Sequence, residues 1–256
     1  MGPRAVGGGV QPAGRPGLHP HVHRLGRHPA DAAVVASYRH EGVRRPGDAR
    51  TARHTTRPRR IGTRSTPLRI EDFIAGARIG LDHIDVALTR RVAKEFVAAA
   101  QRGANVYVVG NGGSAAMASH FTNDLTKGAG VSGQPAIRAF CLNDNVPLLT
   151  AWSNDDAFEV AIQRQVEDLG RAGDLLVVIS TSGRSPNLVN AARAGRERDM
   201  RVVAMTCRTP SPLSALADDW LPVETDSVPL AEALFDLLCH AMAWDAKAIR
   251  EGEDPR

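Results

Sequence analysis

The 256-residue chain has no apolar run near the ~20 residues that a membrane-crossing helix needs, so no membrane span is expected. It has only three cysteines, Cys141, Cys207 and Cys239, an odd number set in apolar surroundings. A disulfide framework is therefore not expected, and a reducing cytoplasm is the expected compartment. Aromatic residues make up only 4% of the chain. Among the arginines of the first 60 residues Tyr38 is the one aromatic, which removes the stacking platform of a nucleic-acid-binding tail. No Gly-x-x-x-x-Gly-Lys-Ser/Thr loop is present, and Gly110-Asn-Gly-Gly113 lacks the third glycine of a dinucleotide fingerprint.

Charge is unevenly placed. Residues 1–60 carry 12 arginines, no lysine and 3 acids, against a formal net charge of +4 for the whole chain. The remainder is therefore net negative. The same segment holds 9 glycines, 7 prolines and 6 of the 9 histidines without sustained periodicity, so disorder is expected. A nucleic-acid-binding tail and a transit peptide are two readings of it, the second opposed by the prolines and glycines. The preferred third is translated GC-rich DNA upstream of the true start. Residues 61–256 are then expected to fold alone with full activity.

A domain is expected over residues 68–250. Phe73, Ile74, Ala77, Leu81, Ile84, Leu88, Val92, Phe96 and Val97 fall at helical spacing, predicting one long or two consecutive helices over 70–102. That pattern is more apolar than a solvent-facing helix needs, and packing onto its own sheet or between subunits are both open. Strands are predicted at 105–109, 136–142, 174–179, 201–206 and 220–223, with helices at 114–126, 156–169, 186–198 and 229–250. Such alternation predicts a parallel sheet covered on both faces, with ligands beyond the carboxyl ends of the strands.

Two loops occupy that position. Ser180-Thr-Ser-Gly-Arg-Ser185 follows the apolar run Leu175–Ile179, with Ser185 as a natural N-cap and Pro186 at the first helical position. Hydroxyls and backbone N–H groups at a helix N-terminus suit a phosphate; an ordinary capped turn is the plainer reading. Earlier, Gly110-Asn-Gly-Gly-Ser114 also joins strand to helix. Its glycines Gly110, Gly112 and Gly113 allow a tight turn and close approach to a ligand, with Ser114 able to cap the helix.

Gly-Asn-Gly-Gly-Ser-Ala-Ala followed by Ser-Thr-Ser-Gly-x-Ser resembles the sugar isomerase (SIS) domain family. With His120-Phe-x-x-Asp-Leu125 after the first motif, the likeness is greatest to the phosphoheptose isomerase group, over roughly residues 68–250. The resemblance implies a three-layer αβα sandwich around a parallel, flavodoxin-like sheet, assembled as a homotetramer. It implies that Ser180, Thr181, Ser182 and Ser185 hold the phosphate of a phosphorylated sugar, with Asn111, Gly112, Gly113 and Ser114 lining the first loop. Asp155 matches a family aspartate that contacts sugar hydroxyls; on spacing alone it reads as a cap for the helix after Ala157.

Beyond residue 60 the histidines are His83, His120 and His240, and two of them match family positions that bind zinc or act in catalysis. The family's His, Glu, Gln and His ligands fall on His120, Asp124, Glu232 and His240, all able to bind Zn²⁺. On helix geometry Asp236 rivals Glu232, since it lies four residues from His240 whereas Glu232 lies roughly 80° around. Helix residues holding no metal are the plainer alternative.

The resemblance further implies aldose–ketose isomerisation of sedoheptulose 7-phosphate through an enediol, with Asp124 as base and His240 as acid. Asp124 is one methylene shorter than the family glutamate. A further family aspartate falls on Pro229, with Asp226 as the nearest substitute. A non-catalytic phosphosugar-binding or protein-interaction module, of the DnaA initiator-associating type, is the alternative. A sugar-sensing regulator would need a helix-turn-helix pattern that residues 1–60 lack.

Overall fold

Strand and helix alternate through the computed structural model, which describes residues 69–253 and, outside them, Gly2 alone. The arginine-rich segment 1–60 and the expected domain start at 68 lie outside the described residues. Two helices open the domain, α1 (Ile70–Asp82) and α2 (Val86–Arg102). Asp85 sets the break between them: its side chain accepts from the Leu88 N–H at 2.9 Å and caps α2. Then come β1 (Asn105–Gly110), α3 (Gly113–Asn123) and a π-helical turn over Asp124–Gly128. They lead into β2 (Arg138–Cys141), α4 (Val146–Asp155), α5 (Phe158–Leu169) and β3 (Leu175–Ile179). The chain closes with α6 (Pro186–Glu197), β4 (Arg201–Cys207), α7 (Pro212–Leu216), β5 (Asp219–Val223) and α8 (Val228–Glu251).

All strand pairs are parallel, in the order β2-β1-β3-β4-β5, with Val108 opposite Val177 and Val177 opposite Val203. This is the flavodoxin-like order. Side chains alternate across the sheet with a period of two. Val106, Val108, Val177, Val203 and Met205 pack on one face with Phe96, Phe121 and Phe235 of α2, α3 and α8. Tyr107, Val109, Leu176, Val178 and Val202 pack on the other with Ile162 of α5 and Leu188 of α6. Both faces are thus covered, which is why the central strands read as unbroken apolar runs.

Helix α2 packs on its own sheet, whereas α1 rides on α8 and leaves Ile70, Ile74 and Ile79 exposed. Helix α4 is a departure from the sequence reading: Asn145 caps it by accepting from the Leu148 N–H at 3.2 Å. Asp155 therefore ends α4 and is not the cap of α5, whose capping position falls to Ala157 without a side-chain bond. Among the described residues no helix is long and apolar enough to cross a membrane.

Candidate active site

β1 and β3 are adjacent, and the chain leaves their carboxyl ends toward opposite edges of the sheet. That divergence opens the crevice in which ligands of such sheets bind. Both motif loops flank it. In the first, a Cβ on Gly110 would lie 2.5 Å from the Ser114 backbone, so only glycine lets α3 start so close to the strand. The Asn143 side chain grips this turn from the end of β2, accepting from the Gly110 N–H at 3.1 Å and donating to its carbonyl at 3.0 Å. Asn111 and Asn187 exchange amide bonds of 2.9 and 2.8 Å, lacing the first loop to the start of α6. Ser114 is not the helix cap: Gly112 takes that position at φ +55°, and Ser114 lies buried inside the first turn.

In the second loop the buried Ser180 hydroxyl accepts from the Gly183 N–H at 3.1 Å, fixing the bend. The exposed Ser182 hydroxyl accepts from the Arg184 N–H at 3.2 Å. Ser185 occupies the capping position of α6 with Pro186 next, yet its side chain makes no cap bond. Its hydroxyl and the α6 N-terminus are therefore available to an anion. Thr181 is half-buried beside them. Asp155 lies exposed at the end of α4, where it accepts from the neighbouring Asn154 amide at 3.0 Å.

The titratable groups gather where α3 and α8 run side by side. His120 lies in the last turn of α3, and Asp124 opens the π-helical turn, in which the Ala129 N–H reaches back to the Asp124 carbonyl at 2.7 Å. Such an extra-residue turn frequently marks a functional site. His240 Nδ1 lies 2.9 Å from Asp124 Oδ2, and His120 Nε2 lies 3.7 Å from Asp124 Oδ1. Asp236 completes the group, 3.8 Å from His120 Nδ1 and 3.9 Å from His240 Nε2. The two imidazoles meet edge to face at 4.9 Å.

His120, Asp236 and His240 each offer one donor atom within 4.8 Å of the others. Two imidazoles and a carboxylate, with Asp124 alongside, are a donor set that fits a divalent transition metal. Glu232 lies elsewhere. Its carboxylate abuts the glycine loop, so that a Cβ on Gly113 would lie 2.6 Å from Glu232 Oε1. Asp226 is exposed beyond β5, where its charge reaches Cys207. Asn143 and Asn187 escaped the sequence reading. Asn143 lies two residues beyond β2 and Asn187 directly after Ser185-Pro186, and neither stands at a spacing that marks a ligand.

The SIS domain model matches residues 87–207. A phosphoheptose isomerase of Bradyrhizobium sp. (strain BTAi1 / ATCC BAA-1182) is 37% identical over 174 residues, spanning 68% of this chain and 87% of its own. That of Streptomyces coelicolor is 36% identical over 177 residues, covering 68% of this chain and 76% of its own. Among solved structures, the phosphoheptose isomerase GmhA of Neisseria gonorrhoeae superposes with a TM-score of 0.64 at 32% identity, covering 70% of this chain and 94% of its own.

Proposed function

The chain belongs to the phosphoheptose isomerase family of SIS domain proteins, and from that premise we propose that it interconverts sedoheptulose 7-phosphate and D-glycero-D-manno-heptose 7-phosphate through an enediol. The observation that carries the reading is the course of α8 along α3. It sets Glu232 beside the glycine loop and Asp236 and His240 beside His120 and Asp124. Acid–base groups thereby line the helix whose start forms one wall of the anion-binding crevice.

Isomerisation moves a proton between adjacent carbons, so one group must accept it and another must protonate the neighbouring oxygen. Asp124 takes the first role and His240, 2.9 Å away, the second. The π-helical turn beginning at Asp124 sets its backbone apart from a regular helix, which suits a carboxylate one methylene shorter than the family's. Ser180, Thr181, Ser182 and Ser185 hold the phosphate with the α6 N-terminus, leaving Asn111, Gly112, Gly113 and Ser114 to face the sugar. Asp155, exposed at the end of α4, is proposed to accept from the sugar hydroxyls.

Zn²⁺ is the proposed ion, held by His120, Asp236 and His240 with Asp124, where it would polarise the sugar carbonyl. Glu232, the ligand position implied by the family pattern, faces Gly113 instead. A cytoplasmic homotetramer completes the proposal. An apolar hollow of about 300 Å³ between α2 and α8, lined by Leu81, Val86 and Leu237, supports association.

The test is turnover of sedoheptulose 7-phosphate by metal-stripped and zinc-loaded protein, read as aldose formed. Asp124→Asn and His240→Ala are each expected to lower kcat by about 10²–10⁴-fold. No turnover in either form, with thermal stabilisation by the sugar phosphate retained, would make the chain a binding module rather than an isomerase.

A further inference from the structure

A cavity of about 570 Å³ lies at the opposite end of the sheet from the motif loops. It opens where β1 and β2 begin, beneath α4 and α5, so it touches none of the groups assigned to isomerisation. Its volume is in the range of small-molecule sites.

Its chemistry is mixed in a particular way. One wall is aromatic: Phe140 of the edge strand β2 is 48% exposed, and its ring lies 6.0 Å from that of Tyr107 at a tilt of 33°. The rim carries three arginines, Arg102, Arg138 and Arg171, against the one exposed carboxylate of Asp168. Arg138 and Arg171 are exposed, and among the described residues neither guanidinium has a hydrogen-bond or ion-pair partner. Arg102 is held nearby through two bonds to the Gly173 carbonyl, at 3.1 and 2.8 Å. The buried Asp174 is paired with no arginine; its oxygens accept from the Asn105 and Arg171 backbone N–H groups at 2.8 and 3.0 Å.

One polar atom is left over. Asn105 donates through Nδ2 to the Tyr107 hydroxyl at 3.2 Å, and that hydroxyl donates to the Leu169 carbonyl at 3.1 Å. Burial keeps the Tyr107 phenol protonated by raising its pKa, with Asp174 adding to the effect. This chain consumes the Asn105 donor and leaves its Oδ1 buried without a partner. A buried acceptor in that state calls for a donor from a ligand or water. An apolar flat face, an unpaired acceptor and two free guanidiniums around one cavity together fit a ring that carries an N–H group and an anionic tail.

We propose that this cavity binds a nucleoside phosphate, with the base on Phe140, an exocyclic amine on Asn105 Oδ1, and the phosphate between Arg138 and Arg171. Guanidiniums suit this task because their planar fork matches phosphate oxygens. A free sugar phosphate fits less well, since it would leave the aromatic wall wet and Phe140 uncovered. Bound there, the nucleotide lies away from the groups assigned to isomerisation and is not a reactant.

The experiment is calorimetric titration of the full chain with AMP, with adenosine and inorganic phosphate titrated separately. AMP is expected to bind saturably, more tightly than either fragment, and equally well when sedoheptulose 7-phosphate is saturating. Phe140→Ala and the pair Arg138→Ala with Arg171→Ala are each expected to weaken AMP about tenfold or more. These side chains are exposed, so the variants should melt as the parent does; Phe140→Tyr, which keeps a ring, should retain binding. Absence of AMP binding at millimolar concentration would overturn the proposal. So would displacement of AMP by the sugar phosphate, inorganic phosphate binding as tightly as AMP, or affinity unchanged in both variants.

Discussion

Gly183 carries a conformational demand that a side chain cannot meet. Its φ of +60° lies in the left-handed region, and a Cβ there would collide with the Ser211 side chain. Gly183→Ala is expected to cost about 1–3 kcal/mol, read as a lower urea midpoint, and to weaken phosphosugar binding by displacing the hydroxyl row. Parent-like stability and binding would show that the bend does not define the site. The thiols invite a different measurement. Burial pushes Cys141 and Cys207 up to about 11. An unfolded thiol titrates at about 8.5. Between those values the folded protein keeps protons that the unfolded chain sheds. The stability they lend is therefore whole below the lower value and is lost as pH climbs through the upper one. Iodoacetamide in that window should label both residues far more slowly in the native protein than in urea, and equal rates would contradict their burial.

Three elements meet at one carboxylate. Asp219 opens β5 with its side chain fully buried, accepting from Arg91 of α2 at 3.0 and 2.6 Å and from Arg201 of β4 at 2.8 Å. Removing one arginine leaves the other in place, so Arg91→Ala or Arg201→Ala should cost only about 1 kcal/mol. Removing both strands a buried charge, and the double variant should lose about 3–5 kcal/mol in urea unfolding. Strict additivity would mean that the two pairs act independently. None of this was legible in the sequence, where Asp218 and Asp219 look alike. What was legible followed from burial on both faces. β3 and β4 read as strands because every side chain of their central runs is apolar, and both motif loops were placed by the strands before them. Helix α4 escaped because it buries no residue and shows no apolar stripe. The π-helical turn at Asp124 escaped because it depends on one backbone bond and not on composition. The family pattern marked Glu232 and helix spacing marked Asp236; the line that α8 takes beside α3 brings Asp236 to the histidines and Glu232 to the glycine loop.

At the scale of the whole molecule, much of the exposed apolar surface among the described residues falls on α1, α2 and α8. Gly76 and Gly80 let α1 settle on α8, since a Cβ at either would lie 2.7 Å from Leu230 or 2.5 Å from Leu234. The outer side of the same layer presents Ile74, Ile79, Leu81, Val86, Leu237 and Trp244, all at least 40% exposed. Monomeric proteins rarely leave so many large apolar groups together in water, and a contiguous patch of this kind marks an association surface. Beneath it Arg90 Nε approaches Asp245 Oδ1 to 3.7 Å. A copy of the chain laid against this face would cover the apolar groups, and a homotetramer needs such a face on every subunit. On the homotetramer proposed above, sedimentation of the parent is expected to give a tetramer, and Leu237→Glu with Trp244→Glu a smaller species, because each glutamate would bury a charge without a partner. The dissociated form should melt at a lower temperature and lose the dependence of its melting on protein concentration. A parent that sediments as a monomer at micromolar concentration would instead leave this side of α1, α2 and α8 facing water.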